Sequence, residues 1–464
     1  MEARTWRVGA GALALLALGG CTVGPNYQRP PVAAPAAYRG AAPARPGASS
    51  LGAEQWTQVF QDPALQALIR TALRQNYDLR IAAARILEAQ EQLGVTRGAQ
   101  YPAAAVVLGA AGSRSSRSKF FNPYETSYTA LGLGFQWNLD FWGKYRRATE
   151  AARDQLLASG WAQRAVESSL VASVAASYFA LRAQDLQLQI SQQTLASDQK
   201  SLQLTRLLLQ HGAASLLDVR QAEEAVDAAA AALPATQKQV ALEEDQLRVL
   251  LGENPGAIPR GRALTAQPHP AAVPAGLPAA LLERRPDIRE AEAQLMAFNA
   301  RIGVAQAAYF PSIALTGSGG VQSIALSKLF AGPAGVWNFA GQLAQPLFAG
   351  GSLKSNVRLA EAQRQEAVLA YRQTIQQAFR QVSDALIAYR QDRLYRRQQQ
   401  KLAAAAQDAA RLADLRYRGG VASYLEVLDS NTRAYAAQLG LAQAELGERL
   451  DYVSLYRALG GGWQ

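Results

Sequence analysis

Residues 128–139 read Tyr-Thr-Ala-Leu-Gly-Leu-Gly-Phe-Gln-Trp-Asn-Leu and carry the most informative pattern of the chain. From Leu131 to Leu139 every second residue is large and apolar, whereas the residues between them are glycine, glutamine or asparagine. The alternation predicts a β-strand with one face suited to lipid and the other to water. A partner strand is predicted over 103–113, with a polar, exposed loop between the two. A strand of a soluble sandwich has a similar pattern, so the alternation alone leaves that fold open.

The strand pattern occurs twice because the chain repeats itself at an offset of 208 or 209 residues. Asp78-Leu79-Arg80 recurs as Asp287-Ile288-Arg289, and Tyr101-Pro102 recurs as Phe310-Pro311. We therefore expect a first repeat over 61–251 with a β-hairpin at 103–139, and a second over 283–459 with a hairpin at 313–347. Six prolines within 252–282 exclude a continuous helix there and mark a connector.

Each predicted hairpin leads into a long segment rich in helix-forming residues, 143–210 and 351–418, followed by a turn and another helix, up to 251 and 459. In the second segment an alternating spacing of four and three predicts a coiled-coil seam, formed by Ile375, Phe379, Val382, Leu386 and Tyr389. A helix of that length extends for about 100 Å and needs neighbours along it. Four lipid-facing strands cannot close a barrel alone, because an open edge leaves backbone groups unpaired in hydrocarbon. The barrel is therefore expected to be shared between chains.

The N-terminus has the features of an export signal. Arg4 and Arg7 precede an apolar run over 8–18 that is too short to span a bilayer, so residues 1–20 are predicted to be removed. Leu18-Gly19-Gly20-Cys21 resembles a bacterial lipobox, in which the cysteine thiol receives a lipid; the alternative is a cysteine near an ordinary cleavage site. By the same resemblance Thr22, where an Asp would retain the protein at the inner membrane, permits sorting to the outer membrane. Residues 21–60 are expected to form a lipid anchor and an extended arm, since several acyl chains anchor stably.

Composition argues against several functional classes. The net charge of +11 comes from scattered basic residues without a compact patch, so nucleic-acid binding is not expected. One cysteine and two histidines, His211 and His269, provide neither a metal cluster nor a Cys/His nucleophile. A nucleotide-binding loop and a Gly-x-Ser-x-Gly elbow are also missing from the sequence. We expect a protein that is not an enzyme and has no cofactor beyond a covalent lipid on Cys21.

An ordered set of motifs covers nearly all of the mature chain. These motifs are Cys21-Thr22-Val23-Gly24-Pro25-Asn26-Tyr27, Asp62-Pro63-Ala64-Leu65, Trp137-Asn138-Leu139-Asp140-Phe141-Trp142-Gly143, Arg284-Arg285-Pro286-Asp287-Ile288, Phe310-Pro311-Ser312 and Leu455-Tyr456-Arg457-Ala458-Leu459-Gly460-Gly461-Gly462-Trp463. Together they resemble the OprM/NodT-type branch of the TolC-like outer membrane factors.

The resemblance implies an α+β membrane protein with a trimeric TolC-like fold. Three chains would share a twelve-stranded transmembrane β-barrel, four strands per chain, continued by a long periplasmic α-helical coiled-coil barrel. The connector 252–282 would lie in the equatorial region, and residues 460–464 would form a C-terminal tail.

The resemblance also places the turns 210–217 and 418–425 at a periplasmic tip that closes the pore. Leu425 and Asp429 would form successive constrictions, with Glu426 beside them; an ordinary solvated helix face is the alternative for Glu426 and Asp429. The family often has an Arg one turn beyond the aspartate, whereas here Thr432 occupies that position and Arg433 follows it. The residues expected to contact the adaptor are Gly212, Ala213, Ser215, Gly420, Val421 and Ser423. His211 is interpreted as incidental, and Pro234 as a kink in its helix.

The function implied is that of a passive exit duct in a tripartite efflux pump. Its partners would be a periplasmic membrane-fusion adaptor, an inner-membrane RND-type pump and outer-membrane lipid. The location implied is the Gram-negative outer membrane, with a lipid anchor and an extension into the periplasm. Drugs or other toxic small molecules would be the cargo. The alternatives are a type I protein secretion duct, a metal-ion efflux duct and a structural lipoprotein.

Overall fold

The structure is a computed structural model that describes residues 22–40, 50–115, 124–268 and 273–463. The predicted signal 1–20, the predicted lipid site Cys21 and His269 lie outside the described residues.

The elements of the chain repeat in a similar order. The first set is α1 (Trp56–Val59), α2 (Pro63–Gln75), α3 (Tyr77–Gly98), β1 (Ala103–Ser115), β2 (Tyr124–Leu139), α4 (Lys144–Gln210) and α5 (Leu216–Leu251). The second set is α6 (Pro278–Arg284), α7 (Pro286–Ala307), β3 (Ser312–Ser323), β4 (Gly335–Ala344), α8 (Ser352–Arg418) and α9 (Tyr424–Ala458). Short 3₁₀ turns occur at Leu51–Ala53, Leu264–Ala266 and Leu326–Lys328. Both α4 and α8 contain 67 residues, which corresponds to about 100 Å of helix. The assigned helix α5 continues through Pro234.

The four strands form one antiparallel sheet in the order β1-β2-β3-β4. This confirms the prediction of four antiparallel strands per chain. Phe135 of β2 lies opposite Ala104 of β1 and Gly317 of β3, and Gly317 lies opposite Phe339 of β4. β4 ends at Ala344, three residues before the end of the expected hairpin. Pro346 explains the early end, because proline has no N–H for the ladder.

The chain divides into two compact units, and each unit combines corresponding pieces of both repeats. The first contains 85–160, 290–372 and the described part of 1–31; the second contains 161–289, 373–464 and the described parts of 32–84. The first unit holds the whole sheet. None of the described helices has an apolar stretch long enough to cross a membrane.

Buried apolar side chains hold the second unit together. Its core includes Leu65 and Ile69 of α2, Leu181 of α4 and Leu247 of α5, all of which are fully buried. Of the predicted seam in α8, Ile375, Val382, Leu386 and Tyr389 are buried, and Phe379 packs its ring 6.4 Å from that of Tyr38.

Asp62 joins three segments of the same unit. Its side chain caps α2 by accepting from the backbone N–H of Ala64 at 3.0 Å. Its Oδ2 also accepts from the Tyr178 hydroxyl at 2.8 Å, the Arg262 N–H at 2.9 Å and the Gln267 amide at 2.7 Å. Burial disfavours the ionised form, but the hydrogen bonds from Tyr178 and Gln267 outweigh it and hold the Asp62 pKa below its ordinary value.

Candidate functional site

The sheet has two chemically different faces. Residues that are paired across neighbouring strands point to the same side of a sheet, so the strand register assigns each side chain to a face. One face contains nearly all of the large apolar side chains, namely Val106, Leu108, Leu131, Leu133, Phe135, Trp137, Leu139, Ile313, Leu315, Val321, Trp337, Phe339 and Leu343. Eight of these side chains are exposed, and Trp337 is 83% exposed; Leu131, Leu139, Ile313, Leu315 and Val321 are half-buried.

The opposite face is polar but uncharged over 103–112, 127–139, 312–323 and 335–344. Alanine and glycine are frequent on this face, and Val107, Tyr128 and Val336 are its larger side chains with apolar groups. Its polar side chains are Gln136, Asn138, Ser312, Thr316, Ser318, Gln322, Asn338 and Gln342. The Asn338 amide donates to the Ser318 hydroxyl across the two strands at 2.9 Å. Within the described residues, β1 and β4 each pair with a single strand, so both edges of the sheet remain available.

The residues that follow Cys21 are fixed next to the ends of the strands. The Val23 N–H donates to the carbonyl of Trp142, just after β2, at 3.1 Å. The Arg147 guanidinium donates to the carbonyls of Val23 and Gly24 and to the side chain of Asn26.

Trp142 extends this cluster towards the second hairpin. It stacks on Phe310 with ring centroids 4.8 Å apart, and its indole N–H donates to the Pro311 carbonyl at 2.8 Å. Three of the sequence motifs therefore meet at the boundary between sheet and helices.

The predicted tip turns share one backbone motif. In the first turn Gly212 has φ +73°, and the N–H groups of Gly212 and Ala213 donate to the carbonyls of Leu209 and Leu208. In the second turn Gly420 has φ +72°, and Gly420 and Val421 donate to Tyr417 and Arg416 in the same way. This is a Schellman cap, in which glycine takes the left-handed position.

The two turns differ in how the following helix begins. Ser215 starts α5 with a capping box, since its hydroxyl accepts from the Asp218 N–H and the Asp218 carboxylate accepts from the Ser215 N–H. At the corresponding place Ser423 starts α9 without a side-chain cap, and Glu426 pairs instead with Arg416 at 3.4 Å. The carboxylate of Glu426 is therefore free of a capping role.

An apolar cluster holds the two turns together. It contains Leu202, Val219, Ala222, Ala413, Tyr417, Tyr424 and Val427. The rings of Tyr417 and Tyr424 meet nearly edge-on, with centroids 5.5 Å apart. All four helices, α4, α5, α8 and α9, contribute to the cluster, so the two turns share one buried apolar base.

The predicted gate residues occupy the first two turns of α9. Tyr424 and Val427 face the apolar cluster, whereas Leu425 is 60% exposed and Asp429 lies one turn further on the same side. Asp429 accepts from Arg433 at 3.0 Å, and the Thr432 hydroxyl donates to the Leu428 carbonyl. Within one chain, Arg433 therefore pairs with the aspartate in place of the absent Arg at 432.

A polar stripe on α4 near the tips was not predicted. Ser191, Asp198 and Thr205 are seven residues apart, and all three are buried. The Ser191 hydroxyl is 3.0 Å from that of Tyr435 in α9. Burial raises the pKa of Asp198 to about 6. The heptad spacing of three polar residues in a leucine-rich helix was the signal available in the sequence.

The described residues contain no group of three His, Cys, Asp or Glu side chains that could hold a metal ion.

The family model described as "Outer membrane efflux protein" matches the chain twice, over residues 68–253 and 277–461. The toluene efflux pump outer membrane protein TtgC of Pseudomonas putida is 40% identical over 461 residues, covering 97% of this chain and 95% of that protein. The cation efflux system protein CusC of Escherichia coli (strain K12) is 36% identical over 453 residues, covering 96% of this chain and 97% of that protein.

Solved structures share the fold. The outer-membrane channel OprN superposes with a TM-score of 0.88 at 30% identity, covering 96% of this chain and all of that one. The open state of the MtrE outer membrane channel of Neisseria gonorrhoeae gives a TM-score of 0.87 at 32% identity, covering 96% of this chain and 99% of that chain.

Proposed function

The chain belongs to the outer membrane efflux protein family, and from this premise we propose that it is the exit duct of a tripartite efflux pump. It is a channel protein of the outer membrane and not an enzyme. The observation that carries the proposal is the sheet, with one large apolar face and one polar, uncharged face. In a closed barrel the first face meets lipid and the second lines a water-filled lumen.

We infer that the working channel is a homotrimer. The backbone groups at the free edges of β1 and β4 need partners in hydrocarbon, and a second copy of the chain offers the complementary edge. Three chains give twelve strands. A mass of the purified channel equal to three chains supports this assembly, and a mass equal to one chain excludes it.

The long helices of the two repeats, 61–251 and 283–459, are proposed to form a periplasmic helical barrel that continues the β-barrel. Helices α4 and α8, each about 100 Å long, supply the length. The connector 252–282 and the tail 460–464 are proposed to lie in the equatorial region. The tail already packs within its unit, since the Ser168 hydroxyl donates to the Gly461 carbonyl and Trp463 packs its ring 5.9 Å from that of Trp161.

The tip of α8 and α9 is the proposed periplasmic gate. Threefold symmetry brings three copies of exposed Leu425 and three of Asp429 towards one axis, with Glu426 beside them. A leucine ring narrows and dewets the pore, and a ring of carboxylates favours cations. The apolar cluster beneath the turns joins the helices that carry the two tips.

The experiment that tests the gate is single-channel conductance of the purified protein in a planar bilayer. We expect a small, cation-selective current that increases severalfold when Leu425→Ala is combined with Asp429→Ala, because both constrictions are removed. Leu217→Ala is the matched control, since Leu217 is 65% exposed at the equivalent place on the first tip. An unchanged conductance in a correctly assembled double variant contradicts the gate assignment.

The partners are an adaptor and an inner-membrane pump, with the pump proposed to be of the RND type and the adaptor a periplasmic membrane-fusion protein. We propose that the adaptor contacts the exposed turns, at Gly212, Ala213, Ser215, Gly420, Val421 and Ser423. Val421 is 70% exposed and faces away from the apolar cluster. Val421→Arg is therefore expected to lower transport in cells while leaving the bilayer conductance unchanged.

Lipid attachment at Cys21 is a further part of the proposal. The residues directly after it are held by Trp142 and Arg147 at the end of the strands, where a membrane surface would lie. Acyl chains on Cys21 would enter the same leaflet as the strands. Labelling of cells with radioactive palmitate is expected to mark the wild-type protein, and absence of label equally from wild type and Cys21→Ser would contradict the assignment.

The cargo is proposed to be drugs or other toxic small organic molecules. The uncharged polar face of the sheet supports this choice, because it opposes neither neutral nor weakly charged solutes. The test uses cells that lack other exit ducts. Accumulation of a fluorescent organic dye and of a copper salt is measured in these cells, and the comparison distinguishes organic cargo from metal ions. A deficit restricted to copper export would favour the metal-ion alternative.

A further inference from the structure

The contact between α8 and α9 contains a dense group of charged side chains. Glu445 and Glu448 of α9 are both buried. The Arg396 guanidinium of α8 donates to both carboxylates, at 3.2 Å in the case of Glu445. Arg396 thus pairs with both Glu445 and Glu448.

Arg449 is held by backbone carbonyl groups of the connector. Its guanidinium is buried and donates to the backbone carbonyls of Gln267, at 2.7 Å, and of Pro268 in the connector. These hydrogen bonds fix the guanidinium against the connector.

Two further carboxylates meet beside this group. A Cβ atom at Gly447 would lie 3.0 Å from the Oδ2 of Asp392, so the Asp392 carboxylate of α8 packs directly on α9. Asp451 lies one helical turn beyond Gly447, and its Oδ2 is buried without a hydrogen-bond partner among the described residues. The absence of a side chain at Gly447 leaves room for the Asp392 carboxylate against α9.

Burial and the charges around Asp392 and Asp451 favour the binding of a proton by Asp451. Burial, the nearby charges of Asp392 and Glu448 and a hydrogen bond with Asp392 raise the pKa of Asp451 to about 7. The charged and titratable side chains around the contact are Tyr389, Asp392, Arg393 and Arg396 of α8, Glu445, Glu448, Arg449, Asp451 and Tyr452 of α9, and Glu54 near Tyr452. Burial raises the pKa of both tyrosines, which keeps them neutral. Within the contact of α8 and α9, four carboxylates and three guanidinium groups become electrically neutral when one proton is bound.

We propose that Asp392 and Asp451 share one proton and form a pH-responsive clasp between α8 and α9. With the proton bound, one carboxyl group donates a hydrogen bond to the other across the two helices. When the proton leaves, two negative charges face each other in a buried site and repel. Because α8 and α9 carry the second tip turn, the clasp controls how firmly the helices leading to that turn are held together.

Thermal unfolding of the full-length protein in detergent tests the clasp. A carboxyl group with a raised pKa stabilises the folded state at low pH, and this stabilisation is lost as pH rises through about 7. The wild-type midpoint is therefore expected to fall by about 1.5 °C between pH 6 and pH 8.5. Asp451→Asn keeps a hydrogen-bond donor without a charge and is expected to remove this decrease. Asp384→Asn, at an exposed α8 residue paired with Arg380, is expected to keep the wild-type profile.

Infrared spectroscopy of the wild-type protein gives a readout that does not depend on a variant. We expect a C=O stretching band of a protonated carboxyl group that disappears as pH rises through about 7, and that is absent from Asp451→Asn. The proposal is overturned if no carboxyl band titrates in this range, or if wild type and Asp451→Asn lose stability identically with pH. Neither measurement depends on channel activity, so the proposed function stands or falls separately.

Discussion

Asp62 shows how much of the second unit depends on one side chain. It is 1% exposed, and its carboxylate accepts four hydrogen bonds from α2, α4 and the connector. We expect Asp62→Ala to lower the free energy of unfolding by about 3 kcal/mol, because the Tyr178 hydroxyl and the Gln267 amide lose their acceptor. The midpoint of thermal unfolding of the purified protein measures this.

The stabilisation that Asp62 provides is expected to decrease at low pH. Its pKa is lower in the folded chain than the ordinary value of 3.8, so its stabilisation is present above that pH and is lost as pH falls through the lower value. The acid-induced loss of stability should therefore be smaller in Asp62→Ala. Asp408→Asn, at a 60% exposed side chain on α8, is the control and should leave stability within about 0.5 kcal/mol of wild type. Equal effects of the two variants would contradict the role assigned to Asp62.

Individual residues could be predicted from the sequence where their role depends on the residues next to them in the chain. The glycines of both turns were predictable, because a Schellman cap requires a left-handed residue at a fixed position. The Asp392–Asp451 contact was not, since it joins residues far apart in the chain through the space left by Gly447. Asp429 and its partner Arg433 are four residues apart, yet the expected Arg position was 432. Pairing in a helix follows side-chain reach, which motif spacing alone does not specify.

At the scale of elements, two helix ends with the same backbone conformation differ in how well they tolerate a side chain in place of glycine. Gly252 ends α5 with φ +75°, and a Cβ atom there would lie 2.4 Å from the Gln75 carbonyl oxygen. Gly420 has φ +72° but has open space around it. We expect Gly420→Ala to cost about 1 kcal/mol, from backbone strain alone. Gly252→Ala should cost at least about 2 kcal/mol, since strain and collision add.

Thermal unfolding of the two glycine variants, side by side, checks this order. The midpoint should fall clearly further for Gly252→Ala than for Gly420→Ala. The reverse order would mean that the close approach of α5 to the end of α2 does not limit position 252.

The long helices and the strands were the predictable elements because their patterns are periodic over many residues. Strand ends were less so: Pro346 closes the ladder early, although apolar residues continue beyond it. The start of α9 was also unpredictable, since Ser423 and Glu426 have the types of a capping box but Arg416 competes for the glutamate. Such competition depends on the neighbouring helix, which the local sequence does not show.

At the scale of the whole molecule, the duplication of the chain accounts for the composition of the sheet. Each repeat contributes one hairpin, and the four strands together continue the same apolar and polar faces without interruption. Among the described residues β1 and β4 leave two free edges, which is why we propose that the sheet is one third of a closed barrel. We therefore expect the polar face of the sheet to line the conduction pathway.

Cysteine substitutions at two neighbouring positions of β4 test directly whether the polar face lines the conduction pathway. Cys21 is the only cysteine, so Asn338→Cys and Phe339→Cys each introduce a single new thiol, on the polar and the apolar face respectively. Single-channel current is recorded in a planar bilayer while a charged thiol reagent is added. We expect the current through Asn338→Cys channels to fall in three steps, one per chain, and the current through Phe339→Cys channels to stay unchanged. Block of Phe339→Cys alone, or of neither variant, would contradict it.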